Sequence, residues 1–275
     1  SNGVEIPAVG FGTFQTPDGE VAREAVKAAI RAGYRHIDTA FAYGNEVSVG
    51  EGIARSGVAR SDIFLTTKHW VTERGYEKAA KAIDTLKISG PIISTCTSFL
   101  ALLEKVSPEW KEINASTWIA FEEAYKAGKI RAIGISNFDV KHAEALCAAA
   151  EIKPMVNQLE YHPGYLQKEN VEWCKANGIL VEAWSPLGCG AVLGDERLAQ
   201  IASGYNKSVA QLCIRFALQN GVLPLPKSVH EDRIIDNTKL FDFEISDEDM
   251  AKIAAIEGLG LSGWYPEDAP AENYN

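Results

Sequence analysis

Gly33-Tyr34-Arg35-His36-Ile37-Asp38-Thr39-Ala40-Phe41-Ala42-Tyr43-Gly44-Asn45-Glu46 is the stretch whose reading decides the fold. His36 to Ala40 is apolar enough for a buried strand, yet Asp38 stands near its C-terminal end, where a buried strand has no structural use for a carboxylate. Tyr43 follows five residues on, ahead of Gly44 and a helical run that opens at Asn45. A second apolar run, Ile63 to Thr67, ends in the same way in Lys68. With the two strands as parallel neighbours, a carboxylate, a phenol and an ammonium converge above one sheet. The cation favours the phenolate and so draws the phenol pKa down. The carboxylate would hold the cation in place, leaving a proton donor suited to an oxygen atom.

These residues resemble the aldo-keto reductase superfamily, whose signature G-Y-R-x-I/L-D-T-A-x-x-Y-x-N-E is matched from Gly33 through Glu46. The likeness runs from Ile6 to Ser246. It implies a (β/α)8 barrel of the α/β class, with Asp38, Tyr43 and Lys68 as catalytic residues and NADPH as cofactor. It also implies a small aldehyde or ketone as substrate, reduced to an alcohol by hydride transfer. Within the superfamily the chain is most similar to microbial reductases of diketogluconate and other keto-sugars, glyoxals and small aldehydes.

The rest of the chain alternates strand-like and helix-like segments, as a parallel sheet with right-handed crossovers requires. Strands are expected at Val9–Thr13, His36–Ala40, Ile63–Lys68, Arg131–Asn137, Met155–Glu160, Ile179–Ser185 and Val222–Pro226. The resemblance places an eighth between Ser89 and Leu103. Helices are expected at Val21–Ala32, with Asp18 or Thr16 as cap, and at Glu46–Ser56, Tyr76–Leu86, Ser116–Gly128, Val140–Ala150, Lys168–Ala176, Glu196–Ser203, Ser208–Leu218 and Glu231–Leu240. Eight such units close into one barrel domain spanning 1–275, whose site lies at the C-terminal strand ends. The tail 258–275 reads as a loop over that mouth.

The only G-x-G-x-x-G match, Gly258 to Gly263, follows a helix and opens none, so it is not a dinucleotide fingerprint. The resemblance places the cofactor elsewhere. Ser136, Asn137 and Gln158 would bind the nicotinamide carboxamide, and Trp184 would stack on the ring. Lys227, Ser228 and Arg233 would take the 2′-phosphate, for which arginine's planar fork is well shaped. Gly12, Thr13, Phe14, Asp38, Ser185, Leu187, Val229 and Asn237 complete the set. Phe14, Trp70 and Trp264 would line the substrate pocket. His69 would face away from Lys68 across its strand, and His36 has no special context.

Composition narrows the alternatives. A net charge of −10 and a pI near 5.1 argue against nucleic acid. Five scattered cysteines without a CxxC pair suit a reducing, cytoplasmic setting. No apolar run is long enough for a membrane span, no metal cluster is apparent, and the barrel is expected to act as a monomer. Two other functions fit parts of the chain: a non-catalytic NADPH-binding barrel, and a hydrolase pairing Asp38 with Glu160 or Glu182.

One segment departs from the pattern. The superfamily carries D-Y-I-D-L-Y-L-I-H-W-P at strand four, and its histidine orients the substrate carbonyl. Here Leu100 stands in the place of the histidine, and no histidine occurs between His69 and His142. Codons allowed by Pro91–Phe99, read one nucleotide earlier, permit D-Y-I-D-L-Y-L-I. Those of Leu100–Lys105, read one nucleotide later, permit W-P-F-W-K. The two frames meet between Phe99 and Leu100, as a reading-frame error through this strand would leave them. Tryptic mass mapping is expected to return no peptide fitting Ile88–Lys105 as written; finding one would end the idea.

Overall fold

The structure, a computed structural model, describes residues 2–84, 96–100, 107–260 and 262, with Val71 and 96–100 described in backbone only. Trp264 and the rest of the tail after Ser262 lie outside the described residues, as does most of the segment around strand four.

Eight parallel strands follow one another in chain order: β1 (Phe11–Gly12), β2 (His36–Asp38), β3 (Phe64–His69), β4 (Cys96–Leu100), β5 (Ile133–Ser136), β6 (Val156–Glu160), β7 (Leu180–Trp184) and β8 (Val222–Pro224). The ring closes where β1 meets β8: the Gly10 and Gly12 amides donate to the carbonyls of Pro224 and Pro226, each at 3.0 Å. Close approach dictates glycine there, since a Cβ on Gly10 would lie 2.4 Å from the Leu225 side chain. Strand order and closure make a (β/α)8 barrel.

The connecting helices are α1 (Glu20–Arg31), α2 (Glu46–Arg55), α3 (Tyr76–Asp84), α4 (Trp110–Lys126), α5 (Val140–Ala149), α6 (Lys168–Ala176), α7 (Glu196–Gly204), α8 (Val209–Gln219), α9 (Glu231–Asp236) and α10 (Asp247–Ala254). Their packing follows the helical period: α1 buries Ala22, Ala25, Val26, Ala29 and Ile30, one stripe facing β1 and β2. Several expectations fail locally: α9 ends at Asp236 rather than Leu240, and α10 is not among the expected helices. Gly19, not Asp18 or Thr16, precedes α1, without a side-chain cap; Asp18 instead accepts from the Ser48 hydroxyl, and Thr16 turns its carbonyl to Asn45. Helix α4 also begins at Trp110, well before Ser116, because Trp110 is buried against His142 of α5. Among the described residues no helix is long and apolar enough to cross a membrane.

His69, on the outer side of β3, is enclosed and sets its ring edge-on to Phe121 of α4. Burial pulls its imidazole down to about 4. A histidine held neutral in the fold stabilises above its unfolded pKa, near 6.5, and that contribution is lost as pH falls toward 4. His69 should therefore cost roughly 3 kcal/mol of stability across that interval. His69→Phe, which keeps the ring contact, should flatten this part of the urea-midpoint curve against pH; an equally steep curve would contradict the assignment.

Candidate active site

The site grows from residues on, or just beyond, β2, β3, β5, β6 and β7. Asp38 ends β2 and Lys68 lies one residue from the end of β3, both almost fully buried. Lys68 Nζ donates to Asp38 Oδ1 and Oδ2 at 2.6 and 2.8 Å, to the Thr39 carbonyl at 3.0 Å, and lies 3.2 Å from the Tyr43 hydroxyl. An ammonium has three hydrogens, and this arrangement uses them all. Tyr43 stands on a short 3-10 turn, Phe41–Tyr43, closed by Gly44 at φ 67°, a left-handed value that favours glycine. The three groups expected to converge are thus brought together.

The direction of the Tyr43 shift differs from the sequence reading. Burial pushes the phenol up, Lys68 pulls it down, Asp38 pushes it up again, and the net is above the ordinary phenol value. Tyr43 is therefore held protonated, ready to donate. Burial pulls the Lys68 ammonium down, but Asp38 and then Tyr43 more than offset this and the net is upward.

Asn45 and Glu46 of the signature do different work from the chemistry. Asn45, fully buried, accepts from Thr39 Oγ1 and donates to the carbonyls of Thr13 and Thr16, tying the loops after β1 and β2 together. Glu46 accepts from Thr67 Oγ1 and fastens α2 to β3. Thr13 is committed likewise, its amide and hydroxyl both bonded to the Asp38 carbonyl.

Two amides face the same mouth in fixed orientations. Trp184 Nε1–H can only donate, so it meets Asn137 Oδ1 at 2.8 Å and leaves the Asn137 amino group as a donor. Carboxylates only accept, so Asp38 Oδ2 and Glu182 Oε2 both take Gln158 Nε2, at 2.9 and 2.8 Å, leaving its carbonyl as an acceptor. A donor and an acceptor so presented fit a carboxamide. Trp184 thus does more than offer a face. Ser136 and Asn137 do not cap α5; Asp139 does.

The remaining candidates are distributed around the rim. Lys227 is exposed and reaches the Gln15 carbonyl at 3.2 Å, while Ser228 is buried and accepts from the His230 amide. Arg233 and Val229 are exposed, Asn237 is buried at the end of α9, and Arg233 has no ion pair among the described residues. Ser185, at φ 51°, accepts from the Cys189 amide, and Leu187 packs on the core. Phe14 is half exposed and sets its ring 5.0 Å from that of Tyr43; Trp70 is partly buried. By backbone register Leu100 pairs with Ser136 at the end of β4.

One buried group escaped the sequence reading, and another, Glu182, is singled out there only as a possible partner acid for Asp38. His36, thought unremarkable, bonds Thr66 Oγ1 at 3.0 Å, lies 3.8 Å from Glu182 Oε1, and is pulled by burial and the Lys68 charge to about 3. Glu182 is driven up to about 7 by burial and then by Asp38. Glu160 lies apart, bonded to His162 and to the Ser262 amide, and makes no pair with Asp38, whereas Glu182 is joined to Asp38 through the shared Gln158 amino group. Among the described residues no group of three metal-ligating side chains occurs.

Residues 8–257 match the Aldo/keto reductase family. Glyoxal reductase of Bacillus subtilis (strain 168) is 51% identical over 269 residues, covering 97% of this chain and 95% of the relative. The 9,11-endoperoxide prostaglandin H2 reductase of Trypanosoma cruzi (strain CL Brener) is 40% identical over 97% of this chain and 93% of its own. A crystal structure of a Bombyx mori aldo-keto reductase in complex with NADP superposes with a TM-score of 0.88 at 32% identity, over 99% of this chain and 96% of that one.

Proposed function

The chain belongs to the aldo/keto reductase family, and from that premise we propose that it reduces small aldehydes and glyoxal-type dicarbonyls to alcohols with NADPH, Tyr43 acting as general acid. When bound, the cofactor supplies a hydride from C4 of its nicotinamide ring. The chain's own residues do the rest. Asn137 and Gln158 orient the carboxamide, and Trp184 gives the ring a flat neighbour. Tyr43, steered by Lys68, gives its proton to the carbonyl oxygen as charge builds there. Asp38 keeps Lys68 in place, and Phe14 and Trp70 exclude water from the approach.

The observation that carries this reading is the enclosed chain Asp38–Lys68–Tyr43. A barrel that only bound NADPH would gain little from it, because a buried ion pair contributes little net stability. The dicarbonyl preference is supported by the likeness to the Bacillus enzyme over nearly the whole chain. The test is NADPH oxidation, followed by its near-ultraviolet absorbance, with glyoxal, methylglyoxal, short aldehydes and keto-sugars. Glyoxal-type compounds should give the highest kcat/KM, and no oxidation with any carbonyl would sink the proposal.

Preference for NADPH over NADH rests on Lys227, Ser228 and Arg233 at the rim. Arg233→Ala should weaken NADPH binding about tenfold, the loss of one charge-assisted contact, and leave NADH binding unchanged. Equal weakening of both dinucleotides would place the 2′-phosphate elsewhere.

A further inference from the structure

We propose that Glu182 is a positioning residue for the nicotinamide carboxamide, acting through Gln158, whose carbonyl oxygen it keeps turned toward the ligand. This rests on the reading that the barrel mouth binds NADP(H). Gln158 and Glu182 are register partners on β6 and β7, so the backbone alone sets them side by side. Both hydrogens of Gln158 Nε2 are taken by carboxylate oxygens. Turning the amide over would set its carbonyl oxygen against two acceptors. Among the described residues no group donates to Gln158 Oε1, which leaves it for a ligand's N–H.

Asp38 alone is a divided clamp, because its Oδ2 also accepts from Lys68 at 2.8 Å. Glu182 has no such competitor. It is completely buried, its Oε1 has no hydrogen bond, and His36 Nε2 lies 3.8 Å from that oxygen. An apolar side chain would fill this place at lower cost, since a buried carboxylate is expensive unless fully paired. What the carboxylate adds is direction to one amide.

Glu182 is faced by Asp38 and His36 of β2, Lys68 of β3 and Gln158 of β6. Its titration near 7 bears on the clamp. As a carboxylate it can only accept from Gln158. As an acid its O–H can donate to Gln158 Oε1, which removes part of the penalty for the wrong orientation. The clamp therefore tightens as pH rises through neutrality.

The test compares equilibrium binding of NADP+ with that of its 3-acetylpyridine analogue, in which a methyl replaces the carboxamide amino group. Quenching of tryptophan fluorescence gives both constants without turnover. The wild-type protein should prefer NADP+ by about tenfold, because the analogue leaves an acceptor unpaired. Glu182→Leu should lose most of that preference, and Glu182→Gln, whose amide can accept from Gln158 but can also donate to it as the acid form does, should keep part of it and lose its dependence on pH. The wild-type ratio should also be larger at about pH 8 than at about pH 6. A folded Glu182→Leu protein with the wild-type ratio overturns the proposal, as does a Glu182→Gln protein whose ratio still rises between those two pH values. Should Glu182→Leu not fold, a wild-type ratio unchanged between those two pH values overturns it. Failure of the wild-type protein to bind NADP+ at all would instead remove the cofactor reading beneath it.

Discussion

Tyr43→Phe is expected to lower kcat/KM for aldehyde reduction about a thousandfold, or roughly 4 kcal/mol of transition-state stabilisation. The change removes one oxygen, whose contact is Lys68 Nζ at 3.2 Å, and keeps the ring beside Phe14. Folding and NADPH binding should both survive, so the loss should fall on kcat. The pH profile gives a second check. Because burial holds the Tyr43 phenol above its ordinary value, the acid form persists to higher pH than a free tyrosine, near 10. The alkaline limb of the reductive rate should lie beyond that value, and the reverse oxidation, which needs the phenolate, should be slow at neutral pH. A variant within tenfold of wild type would remove Tyr43 from the mechanism.

Lys68→Met is expected to fail twice. Activity should fall about as far as in Tyr43→Phe, because the phenol loses its neighbouring charge and its fixed position. Stability should fall by about 3–5 kcal/mol, the usual consequence of leaving one half of a buried ion pair. The stranded group is Asp38, of which Gln158 Nε2 would be the remaining side-chain donor. Adding Asp38→Asn should recover much of the stability and none of the activity. Urea unfolding and kcat/KM on the single and double variants separate the two effects. Full activity in Lys68→Met would show that the ammonium has only a structural role.

Much of this was legible in the sequence because its signals are local. Asp38 and Lys68 stand out since a strand with no solvent to face seldom carries a charge, and the β-then-α rhythm needs only short windows to be seen. What was not legible depends on distant partners. The sign of the Tyr43 shift turns on how deeply the hydroxyl is enclosed, and burial is not written in any window around Tyr43. The Trp184–Asn137 bond joins residues on different strands, and Glu182 becomes meaningful only once β6 and β7 are in register. The early start of α4 follows from the Trp110–His142 contact, which nothing near Pro108 announces.

The junction of β1 with β8 has a consequence for how the molecule breathes. In a parallel ladder the N–H returning to the Gly10 carbonyl would come from residue 226, which is proline. Donation at this seam therefore runs one way, from Gly10 and Gly12 into Pro224 and Pro226. A hoop fastened on one side is the natural place for it to part, and the Gly10 and Gly12 amides would exchange hydrogen first among the strand interiors. Lys227 already staples the two flanking loops through the Gln15 carbonyl. A dinucleotide lying across both loops would act as a buckle, slowing exchange at those two glycines far from the carbonyl it serves.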